Sequence, residues 1–235
     1  SAVAGATGYH VQLSTDDFTS FIGGVDGSIA FTGTSLTASG LLPATAYKYR
    51  VQAVNATGSS NYSAPGSQTT KTVSPVASGA TNVTQSGFTA NWSTVPGVVN
   101  YYLEVSPNAD FSSPVVSFDG TVALAPDLSS VSVTGLMAGI AYFYRVISEN
   151  TGGRSVPSNT VSQITIPANP VAFDTAEEDI TATSVKANWN AVAGVLTYEL
   201  EFSLDNFATL VEEFDPLVVE SATTSVIVSG LLAQT

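Results

Sequence analysis

The sequence predicts an all-β protein made of tandem β-sandwiches arranged end to end. Three observations support this fold class. Apolar and polar residues alternate in short runs, turn-forming residues separate the runs, and one block of sequence recurs along the chain. Hydrophobic residues make up 44% of the 235 positions, enough for packed cores, whereas only 11% are charged. That composition is typical of β-rich exported proteins.

The repeat is recognised by a sequence motif, the GLL motif, that occurs twice in full and a third time in part. GLLPATAYKYRVQAVN begins at Gly40, GLMAGIAYFYRVISEN begins at Gly135, and GLLAQT begins at Gly230, each 95 residues after the last. A second block, NWSTVPGVVNYYLEVSPNADF from Asn91, recurs as NWNAVAGVLTYELEFSLDNF from Asn188. The chain's first residues, SAVAGATGYHVQLSTDDF, match that block from just after its tryptophan. A fixed period indicates tandem structural units.

The repeat and the prolines between its copies predict three domains, at residues 1–73, 74–168 and 169–235. Compared with the middle domain, the first lacks its opening strands and the third lacks its closing strands. Two sandwiches would then leave core faces uncovered, which proteins normally avoid. We therefore expect a window from a longer chain. The alternative is a chain that a partner completes by donor-strand assembly, although the two ends retain the same middle strands and cannot simply complete each other.

Alternation at a period of two identifies the inward face of each predicted strand. Phe88, Ala90 and Trp92 share one face, as do Val185, Ala187 and Trp189. No stretch shows helical periodicity. The aromatic residues that this pattern assigns to the structural core are Trp92, Trp189, Tyr47, Tyr142, Tyr9, Tyr101 and Tyr198.

These residues resemble the fibronectin type III family, an immunoglobulin-like β-sandwich. The resemblance rests on the tryptophan of the second strand, the tyrosine that opens the third, and Gly-Leu followed by Tyr-x-Tyr-x-Val. It implies that Tyr47 and Tyr142 form tyrosine corners, whose hydroxyls bond to backbone at the preceding bend. The motifs STDDF and SPNADF are similar to sequences in the tandem repeats of secreted, multidomain bacterial surface proteins. The resemblance is specific for fold and weak for function, because this sandwich serves as spacer, adhesin and accessory module alike.

Candidate catalytic and metal-binding residues are scarce. Cysteine is absent, and the single histidine, His10, is predicted to point outward into solvent. Glu199 and Glu201 are spaced like a glycosidase pair but lie on an outward strand face rather than in a cleft. We predict a non-enzymatic protein with no catalytic, cofactor-binding or metal-binding residues.

The chain is strongly acidic, with a net charge of −13 and only six Lys and Arg, which argues against nucleic acid as a partner. Residues 170–235 hold eleven acids and one base. Their two acidic groups, Glu177–Asp179 and Glu212–Asp215, keep a calcium alternative open, but neither matches the DxDxDG spacing. The favoured interpretation is solubilising charge.

Two surface features are candidate sites. Tyr102 and Phe143 are predicted to face outward on neighbouring strands and could form a partner surface. The triplet at Asp174–Ala176 resembles an O-glycan acceptor of secreted bacterial proteins and would place sugar on Thr175.

The favoured function is an extracellular structural or adhesive segment, a stalk or fibre that presents or spaces other domains at a cell surface. The alternatives are an accessory region of a secreted polysaccharide hydrolase, protease or nuclease, and a subunit of an extracellular filament. Expected partners are a protein or a cell-surface glycan and further repeats of the same chain. No apolar run is long enough to span a membrane.

Overall fold

A computed structural model describes residues 1–231. The end of the third GLL motif, residues 232–235, lies outside the described range. The described chain contains three single-turn 3-10 helices, Val116–Phe118, Glu177–Asp179 and Glu212–Phe214. The remaining elements are strands. They are β1 (Gly8–Ser14), β2 (Asp26–Phe31), β3 (Ala46–Asn55), β4 (Gly58–Ser59), β5 (Gly66–Thr69), β6 (Ala77–Thr81), β7 (Gly87–Trp92), β8 (Asn100–Ser106), β9 (Ser130–Thr134), β10 (Ala141–Asn150), β11 (Gly153–Arg154), β12 (Val161–Ile164), β13 (Ala172–Phe173), β14 (Val185–Trp189), β15 (Thr197–Leu200), β16 (Leu217–Glu220) and β17 (Ser225–Val228).

Strands β1 to β5 form one antiparallel sheet, the N-terminal sheet, in the order β2-β1-β3-β4 with β5 on the other part of β3. Val11 pairs with Val51 and Leu13 with Tyr49, so the apolar side chains of the two long strands share one face. Within residues 1–231 no second sheet covers this face. The face lines a groove of about 830 Å³.

Strands β6 to β12 form the central sandwich, which has two sheets. The first has the order β6-β7-β9, and the second joins β8, β11 and β12 to β10. Phe88, Ala90 and Trp92 project from the first sheet into the core. Tyr101, Leu103, Val105, Tyr142, Tyr144 and Val146 project from the second. All are at most 4% exposed, so the core is closed from both sides.

The C-terminal strands, β13 to β17, repeat part of this arrangement. β13, β14 and β17 form one sheet, and β15 and β16 form a separate hairpin. Trp189 packs on Tyr198 with ring centroids 5.5 Å apart, as Trp92 packs on Tyr101 at 5.7 Å. The predicted fold class, all-β with tandem sandwiches, is therefore confirmed. No helix in the described range is long and apolar enough to cross a membrane.

Candidate functional site

The tyrosine that opens the third strand of each repeat fixes the turn before it. The backbone N–H of Val3 donates to the Tyr9 hydroxyl at 2.7 Å, and the N–H of Val95 donates to that of Tyr101 at 2.6 Å. Val192 and Tyr198 form the third copy of this bond at 2.8 Å. Each bond closes a turn whose glycine has a positive φ, namely Gly5, Gly97 and Gly194.

A second tyrosine fixes the bend that follows Gly-Leu. The Tyr47 hydroxyl accepts the Leu42 N–H at 2.9 Å, and the Tyr142 hydroxyl accepts the Met137 N–H at 3.1 Å. This is the geometry of a tyrosine corner. On the same bends, the Thr70 hydroxyl donates to the Leu42 carbonyl at 2.6 Å, and Thr165 does the same to Met137 at 2.7 Å. In both repeats, the bend is therefore held by one hydrogen bond to a tyrosine hydroxyl and one from a threonine hydroxyl.

The bend of one repeat contacts the glycine turn of the next, and this contact is the candidate functional site. A Cβ on Gly139 would lie 2.0 Å from the Ala193 carbonyl oxygen, and a Cβ on Gly194 would lie 2.3 Å from the Gly139 oxygen. The equivalent pair upstream is Ala44 and Gly97, where a Cβ on Gly97 would lie 2.7 Å from the Ala44 Cβ. The same two positions therefore meet at both junctions, and three of the four residues are glycine.

Polar contacts reinforce the junction between the N-terminal sheet and the central sandwich. The Thr72 and Ser148 hydroxyls are 2.7 Å apart, and both side chains are buried. Ser148 also donates to the Val73 carbonyl at 3.0 Å, and the Asn150 amide donates to the Thr70 carbonyl at 2.9 Å. Buried hydrogen bonds of this kind fix geometry, because breaking them leaves polar groups unpaired.

The second junction uses backbone and amide groups instead. The Ile166 N–H donates to the Thr84 carbonyl at 2.9 Å, and the Gly139 N–H donates to the Ile166 carbonyl at 3.1 Å. The side chains of Gln85 and Asn169 bond at 2.9 Å. The segment after β12 is thus tied back to the central sandwich before the C-terminal strands begin.

The structure contradicts the predicted exposure of Tyr102. Its side chain is only 7% exposed, because the Arg154 guanidinium lies 3.7 Å from the ring centroid. The Tyr102 hydroxyl donates to Glu149 at 2.6 Å, and this bond is the main reason that the pKa of Glu149 is lowered. Phe143 is half-buried and pairs with Ser106 and Ser162. The two aromatics therefore form no open patch.

The other predicted surface residues are placed as follows. The Thr175 hydroxyl is half-buried and donates to the Lys186 carbonyl at 2.7 Å, so it is engaged within the fold. His10 is half-buried on β1, and Glu199 is exposed on β15. In the described part of the chain, no group of three or more His, Asp or Glu side chains is arranged to hold a metal ion.

Arginine–aromatic stacking is a repeated feature that the sequence analysis missed. The Arg50 guanidinium lies 4.2 Å from the Phe18 ring centroid and 4.5 Å from that of Tyr62. Arg145 lies 4.0 Å from the Phe111 centroid and forms an ion pair with Glu104. The arginine follows Tyr-x-Tyr in both copies, and the phenylalanine closes STDDF and SPNADF. The recurrence of these residues at fixed repeat positions could have been noticed in the sequence. The sequence does not show that the arginine stacks on the phenylalanine.

The loops that hold Phe18 in the first repeat and Phe207 in the third each contain an aspartate with a lowered pKa. Asp16 accepts the Ser20 hydroxyl at 2.6 Å and N–H at 2.9 Å, and these bonds lower its pKa to about 2. Asp205 has the same bonds from Thr209 and also a pKa of about 2. The equivalent residue in the central sandwich is Asn108, which cannot ionise.

We expect both turns to loosen in acid. A carboxylate whose pKa is lowered by folding stabilises the fold above its ordinary pKa of 3.8, and that contribution disappears as the pH falls towards 2. Carbon-detected NMR titration should give both carboxyls a midpoint near 2, with loop shifts that follow it. Ser20→Ala should raise the Asp16 midpoint and leave that of Asp205 unchanged. An Asp16 midpoint near 3.8 in the unmodified chain would contradict the geometry.

This fold and these junctions define a class of protein made of tandem β-sandwiches that touch at repeated contacts. The fibronectin type III domain model matches residues 3–69. Exoglucanase B of Cellulomonas fimi is 33% identical over 174 residues, which is 68% of this chain and 16% of the enzyme. Human Protein sidekick-1 is 28% identical over 169 residues, 67% of this chain and 8% of that protein. The chain thus spans less than a fifth of either relative.

Two solved structures are similar to this chain at low sequence identity. A two-domain fibronectin type III segment of chicken tenascin is 18% identical, with a TM-score of 0.42 over 70% of this chain and 87% of that one. The FN1–FN3 domains of chicken CNTN1 are also 18% identical, with a TM-score of 0.38 over 68% of this chain and 56% of that one.

Proposed function

We propose that this chain is a non-catalytic spacer of an extracellular protein, built from fibronectin type III domains at residues 1–73, 74–168 and 169–235. Its role is to hold other domains apart at a cell surface. The observation that carries the proposal is the recurrence of one junction contact at the same two repeat positions, Ala44 with Gly97 and Gly139 with Gly194. A spacer needs a defined angle between its units, and a contact at backbone distance restricts that angle.

A specific observation supports a second role, as an accessory region of a secreted enzyme. The match to Exoglucanase B covers two thirds of this chain but a small part of that enzyme. In this role the spacer would separate a catalytic domain from another module. A catalytic domain encoded beside this segment would favour the accessory role, and further repeats on both sides would favour the stalk.

The junction is tested by comparing two substitutions on one bend. Gly139 and Gly135 both have positive φ, so alanine costs each of them about 1–2 kcal/mol in backbone strain. Gly135 has open space around its Cβ position, whereas Gly139 faces the Ala193 carbonyl at 2.0 Å. We expect Gly139→Ala to turn the C-terminal strands relative to the central sandwich, and Gly135→Ala to leave that orientation unchanged.

Residual dipolar couplings measure the orientation, and small-angle scattering measures the length of the particle. For the unmodified chain we expect an elongated particle with a maximum dimension on the order of 100 Å, from strand rise and three units in series. Equal orientations in the two variants would show that the junction does not set the angle. A compact particle would contradict the spacer function itself.

A further inference from the structure

We propose that strand β9 of the central sandwich is an association edge, at which two copies of this chain pair side by side in antiparallel orientation. The pairing joins the sheet β6-β7-β9 of one copy to the same sheet of the second copy, with Ser132 on the two-fold axis. It goes beyond the spacer function and does not depend on it, because it uses the side of a sandwich rather than the contacts between successive ones.

Three of the four sheet edges in the central sandwich are covered. The edge strands β6 and β12 lie side by side and are tied at both ends. The N–H and the carbonyl of Ala77 both bond to the Asn159 side chain at 2.9 Å, and the Ile166 N–H donates to the Thr84 carbonyl at 2.9 Å. The edge of β8 is covered by residues 119–124, which form two antiparallel bridges to it.

The fourth edge, β9, is open. Its ladder to β7 begins where the Trp92 N–H donates to the Ser129 carbonyl at 2.8 Å, and this bond fixes which residues of β9 face β7. The backbone groups of Val131 and Val133 bond to β7, and those of the alternate residues point away from it. The alternate residues are Ser130, Ser132 and Thr134. Within residues 1–231, their outward N–H and C=O groups have no hydrogen-bond partner.

This open edge lacks the features that usually protect an edge strand, which are charge, proline and bulges. No charged residue and no proline lies between Asp127 and Arg145. The pairing of β9 with β7 is regular along the whole strand, whereas β6, the other edge strand of the sheet, has a register shift between Ser78 and Thr81. A regular, uncharged edge is a template for a further strand.

The sequence of β9 is symmetric about its middle residue, as a two-fold pairing requires. Ser130–Thr134 reads SVSVT, with hydroxyl side chains at both ends and a valine on each side of the centre. Antiparallel pairing about Ser132 therefore places Val131 opposite Val133 of the second copy, and the first hydroxyl opposite the last. The valines extend the core face and the hydroxyls meet on the outer face, so each cross-strand pair joins like side chains.

The same symmetry recurs in the other repeats. The five residues before Gly-Leu read SLTAS at 35–39 and SVIVS at 225–229, the repeat positions of β9. Each has hydroxyls at its ends, apolar residues at its second and fourth positions, and neither charge nor proline. The symmetric edge is thus a feature of the repeat and not of one strand alone.

The distribution of charge favours the antiparallel orientation. Residues 170–235 hold eleven acids and one base, whereas residues 1–74 hold three of each. An antiparallel pair places the acidic segment of each copy towards the nearly neutral first repeat of the other. A parallel pair would bring the two acidic segments together, where they repel each other.

The test measures the sedimentation of the intact chain, and hydrogen exchange along β9, from about 10 µM to about 1 mM. A single strand pair buries less than the roughly 1,600 Å² of a standard interface, so we expect a dissociation constant on the order of 100 µM. At about 1 mM some four fifths of the chains are then paired, and exchange at the Ser132 amide should be about fivefold slower. The amides of Val131 and Val133, which already bond to β7, should keep their rates.

Charged residues at the two-fold axis give the sharpest comparison. Ser132→Lys places two like charges opposite each other in the pair and should leave the chain monomeric, and so should Ser132→Glu. An equimolar mixture of the two variants should associate again, because the facing charges are then opposite in sign. Thr81→Lys is the matched control. It adds the same charge to β6, the covered edge strand of the same sheet, and should leave association unchanged.

Ser132→Pro tests the backbone bonds without a charge. Proline removes an N–H that points away from β7, so the ladder to β7 remains and the dimer should be lost. Retained protection of the Val131 and Val133 amides shows that each variant keeps its fold. The proposal is overturned by a chain that stays monomeric up to about 1 mM. It is also overturned by a dimer that survives Ser132→Lys, which would use another edge, or by Ser132→Lys and Ser132→Glu chains that do not associate when mixed.

Discussion

Replacing Trp92 by alanine is expected to destabilise the central sandwich by about 3–5 kcal/mol, the cost of removing a large buried aromatic side chain. Trp92 is 4% exposed and lies against Tyr101, with ring centroids 5.7 Å apart. Tyr101 holds the turn at Gly97 through the Val95 N–H, so the cavity adjoins the junction. Hydrogen exchange at β8 and β10 measures this loss for the central sandwich alone, which whole-chain melting cannot do.

Trp92→Phe is the control for this prediction. The indole N–H of Trp92 is buried without a hydrogen-bond partner in the described residues, and so is that of Trp189. Phenylalanine keeps an aromatic ring against Tyr101. It also removes an unpaired buried donor, which offsets part of the free-energy cost of the lost side-chain volume. We expect Trp92→Phe to cost well under half of the alanine value. Similar losses in both variants would show that the ring contact is not what stabilises the core.

Tyr144→Phe is expected to cost about 0.5–1.5 kcal/mol, because it removes a partly buried hydrogen bond to the Ser78 carbonyl. The hydroxyl of Tyr144 donates to the Ser78 carbonyl and accepts the Asn91 N–H, so it links the two sheets of the central sandwich. Burial raises the pKa of this tyrosine, so it remains a proton donor at neutral pH. Exchange at the amides of β6 and β7 should quicken accordingly.

The repeat offers a matched control at Tyr49. Tyr49 occupies the same repeat position as Tyr144, but its side chain is 45% exposed. Tyr49→Phe should therefore change stability by no more than about 0.5 kcal/mol, as for ordinary surface substitutions. If both variants lost the same amount, the hydroxyl bridge in the central sandwich would not be the cause.

Features that depend on local pattern could be predicted from the sequence. The fold class follows from alternation and the repeat, and the inward face of β7 follows from a period of two. The two tyrosine corners followed from a resemblance carried by Tyr47 and Tyr142. In each of these cases the signal lies within a few residues of the feature that it predicts.

Features that depend on what covers a residue could not be predicted. Alternation places Tyr102 on the outer face of its sheet correctly, yet Arg154, on another strand, covers the ring. The Thr175 motif says nothing about the Lys186 carbonyl that its hydroxyl meets. The junction glycines were visible as turn residues, but their contact partners lie tens of residues away. The sequence alone gives no measure of such distances.

The contact between Gly139 and Gly194 also bears on how such a chain changes length over generations. The central repeat carries both halves of the contact, the glycine turn at Gly97 near its start and the bend at Gly139 near its end. Unequal recombination that duplicates or deletes a whole repeat therefore joins a bend to a turn that already fits. Array length can vary by a single genetic event, with no new interface to evolve.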